Sequence, residues 1–130
     1  MTLYLVDEPL QPPGLIFTAA ICGATALLVL GMGILGILRK IRPNMLFGIR
    51  TALTLDDPDA WDYVHRKAAP WAIAAGLSLL IATVVICVAP SGDVQFWAAM
   101  AGSAAVVVLL MTGVKLAQRS FARQRDGNAV

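Results

Sequence analysis

Charge is what this sequence withholds. Residues 15–38, 68–92 and 94–114 contain no Asp, Glu, Lys, Arg or His. Only 14% of the chain is charged against 58% apolar, which excludes a small soluble domain. Such a domain would show amphipathic stripes, with polar residues recurring every few positions. Histidine occurs once and cysteine twice. That scarcity excludes a disulfide-stapled scaffold and argues against a multi-ligand metal site. The missing intramembrane charge also weighs against an ion pump or coupled transporter, which needs an ionisable group at depth. A pore lined by backbone carbonyls stays open, with little support from three short spans.

What remains is three apolar runs of membrane length. A helix rises about 1.5 Å per residue, so roughly 20 residues cross a hydrocarbon core of about 30 Å. The expected fold is an all-α membrane protein. It has three transmembrane helices and a cytoplasmic loop that contains a short interfacial helix. The expected segments are 1–14 (extracytoplasmic), 15–41 (first span), 42–67 (loop), 68–89 (second span), 90–93 (outer turn), 94–116 (third span) and 117–130 (basic tail). The first span reads as an anchor, not a cleaved signal peptide. Its upstream flank holds Asp7 and Glu8 but no basic residue, and it ends in Arg39-Lys40-Ile41-Arg42.

Basic residues orient the chain. All ten lie either between the first two spans or after the third. Lys and Arg favour the cytoplasmic side. The N-terminus is therefore expected outside and the C-terminus in the cytoplasm, in a multi-pass plasma-membrane arrangement. Lys115, Arg119 and Arg123 follow at i, i+4 and i+8 and are candidate lipid contacts. Pro12-Pro13-Gly14 and Pro43 bound the first helix, with its end expected near Ile41. Pro90-Ser91-Gly92-Asp93 has turn chemistry, and Phe96 and Trp97 beside it suit the interface. Asp126-Gly127-Asn128 is expected to fray.

Gly31-Met32-Gly33-Ile34-Leu35-Gly36 spells a dinucleotide fingerprint, but it lies within a span. The motif requires a preceding strand and an aqueous pyrophosphate. Close helix packing through small residues is the physical reading, shared by Ala19-x-x-x-Gly23, Ala72-x-x-x-Gly76 and Ala98-x-x-x-Gly102. Packing within one bundle and homo-oligomerisation both remain open. Cys22 and Cys87 sit at different depths and are expected to be unpaired.

The chemistry is concentrated in residues 42–70. Asn44, Phe47, Gly48, Arg50, Thr51 and Thr54 mix with apolar residues in a segment expected to fold back under the bundle. Asp57 suits an N-cap and Pro58 the first helical position. Trp61, Val64, His65 and Ala68 then share one helical face, and Asp62 and Arg66 are spaced to pair. Pro70 is expected to start or bend the second span. Arg50 can bind a lipid phosphate, or pair with loop carboxylates or carbonyls. His65 can bond Asn44, Thr51 or Thr54. No Ser–His, Asp–Asp or metal constellation stands out, so no enzyme and no cofactor is expected.

The ordered set Pro43-Asn44, Phe47-Gly48-Ile49-Arg50-Thr51, Thr54-Leu55, Trp61 and His65-Arg66 resembles the SdpI family of small bacterial membrane proteins. Ala52-Leu53 and Val64 depart from the family pattern. The resemblance implies a protective or signalling role against a membrane-active peptide, as for the family's namesake. It makes Asn44, Phe47, Gly48, Arg50, Thr51, Thr54, Trp61, His65 and Arg66 the candidate motif residues. The expected partners are membrane lipids and either a toxin peptide or a protein partner, without nucleic acid. A structural accessory subunit of a larger membrane complex is the alternative reading.

Overall fold

The computed structural model describes residues 8–129. Residues 1–7, half of the expected N-terminal segment, lie outside the described part, as does Val130. Four helices follow in order: α1 (Pro12–Ile37), α2 (Ala52–Asp56), α3 (Pro58–Val88) and α4 (Gly92–Asn128). No strand occurs among the described residues. α1, α3 and α4 are each long and apolar enough to cross a membrane. This is the expected all-α membrane fold, with a short helix between the first two spans.

Three local outcomes differ from expectation. First, α1 begins at Pro12, where proline's missing N–H costs nothing. It ends at Ile37, four residues before Ile41. Arg39 adopts φ 54°, its N–H bonds the Gly36 carbonyl, and the Lys40 N–H bonds the Leu35 carbonyl. That left-handed closure ends the helix before Pro43 can act. Second, the helix capped by Asp57 is not a separate interfacial piece. It runs unbroken through Pro70 into the second span. Pro70 deprives only the Arg66 carbonyl of its helical donor. The short helix is instead α2, one turn earlier. Third, α4 is helical through all the basic residues of the tail. α4 continues to Asn128, and at about 1.5 Å per residue it is nearly twice as long as the hydrocarbon core is thick.

α3 is the middle helix, with α1 and α4 packed along it. Its buried face is mostly alanine and glycine, including Ala68, Ala69, Ala72, Ala75 and Gly76. Without a large hydrophobic driving force between helices in lipid, such residues bind by letting backbones approach. A Cβ built on Gly36 would stand 2.8 Å from the His65 carbonyl oxygen, and one on Gly102 would stand 2.6 Å from Ala82 Cβ. The glycines thus serve packing within one bundle. Gly31 alone of its cluster meets nothing within 4 Å. Cys22 and Cys87 are both free.

At the turn end, Ser91 caps α4 and Gln95 is buried. Gln95 Nε2 donates to the Ile86 carbonyl at 3.1 Å and the Ala89 carbonyl at 3.3 Å. Its Oε1 accepts the Leu10 N–H at 2.7 Å. One amide therefore joins the α3–α4 hairpin to the segment before α1. At the opposite end, the loop, the start of α3 and the end of α4 come together. Tyr63 Oη and Ser120 Oγ lie 2.6 Å apart, and Arg125 lies 3.8 Å from Asp57. Both groups of basic residues thus share one end of the bundle.

Candidate functional site

The loop from Leu38 to Thr51 is held by side chains, because little of its backbone is in helix or sheet. Asn44 organises the first part. Its Oδ1 accepts the N–H groups of Leu46 at 2.9 Å and Phe47 at 2.7 Å. Its Nδ2 donates to the Arg42 carbonyl at 2.8 Å. This is a side-chain turn of the kind asparagine favours. Gly48 follows with φ 114°. That conformation is open to glycine, and a Cβ there would also stand 2.5 Å from His65 Nε2.

The reversal at Gly48 presents the Ile49 backbone to α3. The Ile49 N–H donates to His65 Nε2 at 2.7 Å. His65 Nδ1 lies 2.7 Å from the Trp61 carbonyl oxygen. A carbonyl only accepts, so Nδ1 carries the proton and Nε2 is the lone-pair acceptor. Burial pushes the His65 pKa below its ordinary 6.5, against the weaker opposing effects of the Trp61 carbonyl and Asp62. The ring is therefore neutral, with both nitrogens occupied. It joins two backbone segments and leaves no lone pair for a metal.

Trp61 completes the junction. It is 1% exposed, and its Nε1 donates to the Ile41 carbonyl at 3.0 Å. Its ring centroid lies 4.4 Å from that of His65. Val64 and Ala68, on the same face, pack with Ala117 of α4 and with Ile49. The helical face expected from spacing is thus the face that receives the loop.

Thr51 and Thr54 form the second anchor. They make a reciprocal capping box at the start of α2. The Thr51 N–H donates to Thr54 Oγ1 at 2.9 Å, and Thr54 Oγ1 donates to the Ile49 carbonyl at 2.8 Å. Gln118 Nε2 of α4 reaches Thr51 Oγ1 at 2.7 Å. His65 therefore meets backbone, not Asn44, Thr51 or Thr54 as expected; Asn44 and Thr54 are engaged with their own turns, and Thr51 with its turn and Gln118.

The charged motif residues stay outside this junction. Arg50 is exposed and makes no hydrogen bond or ion pair among the described residues. The expected pairing with loop carboxylates or carbonyls is absent among the described residues. Arg66 is likewise exposed. Asp62 turns to Arg39 at 3.8 Å instead of pairing with Arg66. The left-handed turn at the end of α1 places Arg39 within reach. Phe47 is half-buried, and Lys115, Arg119 and Arg123 are exposed.

The motif thus divides in two. Asn44, Gly48, Thr51, Thr54, Trp61 and His65 build the loop, while Arg50 and Arg66 face outward from it. Sequence reasoning missed Gln118 and Gln95. Gln95 is a lone amide in an uncharged run, and that was the available signal; Gln118 sits among the polar residues of the tail and had none. Also missed was the carbonyl of Ile41, for which no side-chain pattern gives a signal.

The sequence model of the SdpI/YfhL protein family matches residues 40–115. No curated protein and no solved structure matches the chain. The matched stretch holds the loop from Lys40 onward, all of α3 and most of α4, and stops short of Ala117 and Gln118. It spans more than half of the 130 residues, and the chain belongs to the SdpI/YfhL protein family.

Proposed function

We propose that this is a bacterial plasma-membrane protein that protects against a membrane-active peptide or relays its presence. The observation that supports this reading is the division of the family motif. Its interior residues hold the loop in one conformation, and its two arginines are left free at the surface. A loop serving only as a connector has no use for so many specific anchors. A prepositioned surface has use for them, because ordering is complete before a partner arrives. The role needs no catalytic step, and neither His65 nitrogen is free to supply one. In this proposal the N-terminus lies outside, and the loop and C-terminal end of α4 face the cytoplasm. The charge distribution supports that orientation.

The test is tolerance to a panel of membrane-active peptides in deletion and overexpression strains. Expression should raise tolerance to at least one peptide. Arg50→Ala with Arg66→Ala should remove that gain while protein abundance stays unchanged. If tolerance never changes, and deletion instead removes a subunit or activity from a membrane complex, the accessory-subunit reading replaces this one.

A further inference from the structure

A groove of about 340 Å³ runs between α1 and α4 beneath the loop. Met32 forms its α1 wall, and Leu110, Met111 and Val114 form its α4 wall. Gly48, Ile49, Arg50 and Thr51 close its end. Its size lies within the roughly 300–1,000 Å³ of small-ligand pockets.

Three observations identify its occupant. The first is depth. Val114 is the last residue of the uncharged run on α4, and Met32 lies about a turn and a half before the end of α1. The groove therefore spans the boundary between acyl chains and headgroups at the basic end. The second is charge. Arg50 lines the groove and has no protein partner among the described residues, and Lys115 follows Met111 by one helical turn, exposed and also without one. The third is contrast. A groove of about 380 Å³ between α3 and α4 is lined by Ser78 and apolar residues, with no cation. Size alone does not distinguish the two grooves, but the unpaired arginine does.

We propose that the α1–α4 groove seats one anionic glycerophospholipid. Its phosphate binds Arg50, with Lys115 adding charge, and an acyl chain lies along Met32, Leu110, Met111 and Val114. Guanidinium matches phosphate oxygens with paired donors. Methionine adapts to an irregular chain. Because the Gly48–Thr51 segment closes the groove, the bound lipid also braces the loop. This inference rests on the membrane fold and not on the protective role.

Native mass spectrometry of the detergent-purified protein, titrated with phosphatidylglycerol or phosphatidylethanolamine, tests it. One phosphatidylglycerol should be retained at a concentration about tenfold lower than phosphatidylethanolamine requires. Arg50→Gln should erase that preference, and Lys115→Gln should reduce it. Arg123→Gln, far along α4, should leave it unchanged. Met111→Trp, at an exposed position, should fill the groove and lower retention of both lipids. Arg50 and Lys115 have no partners to lose among the described residues, and circular dichroism should show unchanged helix content. Equal retention of the two lipids overturns the proposal. So does a phosphatidylglycerol preference that survives Arg50→Gln, one that Arg123→Gln lowers equally, or retention that Met111→Trp leaves intact.

Discussion

The Ile49 N–H points at Nε2 of His65 across 2.7 Å, and this bond fixes the loop to α3. It requires a lone pair on Nε2. Protonation there would replace the acceptor with a donor facing another donor. The depressed pKa of His65 gives the sign of the pH effect. In the unfolded chain the ring titrates near its ordinary value; in the folded protein it resists protonation until lower pH. The unfolded state thus binds more protons in the interval between the two values, and stability falls as pH falls through it. The stabilisation is complete above 6.5 and is lost as pH drops through the folded value. The protection factor of the Ile49 amide, its exchange rate relative to that of an open amide at the same pH, should fall over that interval. In His65→Ala the protection factor should be low and independent of pH.

Gly48 and Gly31 should respond oppositely to one methyl group. Gly48→Ala combines φ 114° with a clash against the imidazole and should cost about 1–3 kcal/mol. Gly31→Ala meets open space within a helix and should be neutral or stabilising by up to about 1 kcal/mol. Thermal unfolding in detergent measures both.

Trp61→Ala should cost about 3–5 kcal/mol, because it opens the junction and orphans the Ile41 carbonyl. In lipid-free detergent, Arg50→Ala should change stability by no more than about 0.5 kcal/mol, since its side chain makes no hydrogen bond or ion pair among the described residues. Chemical or thermal denaturation of the two variants should separate them clearly. From sequence, Arg50 was open both to a lipid phosphate and to a loop carboxylate or carbonyl.

That contrast shows what was legible and why. The spans were legible because length and missing charge suffice to identify them. The buried face of Trp61, Val64, His65 and Ala68 followed from helical spacing. The continuity of α3 through Pro70 was not legible, because tertiary packing of Ala68, Ala69 and Ala72 outweighs one lost hydrogen bond. The early end of α1 depended on a left-handed arginine, a conformation that residue type disfavours. The partners of His65 are backbone atoms of residues 4 and 16 positions away. No side-chain pattern encodes those contacts.

Orientation can be read directly in cells. A reporter active only in the cytoplasm should work when fused after Arg125 and fail at Ser91. Activity at Ser91 would reverse the proposed topology while leaving the loop junction as described.

The central claim is that a neutral histidine holds the motif loop. Nitrogen NMR of the labelled protein in detergent at pH 8 tests it most directly. The account predicts an Nδ1-protonated His65 and a scalar coupling across the hydrogen bond from the Ile49 amide nitrogen to Nε2. A protonated Nε2, or an imidazolium at that pH, would contradict it.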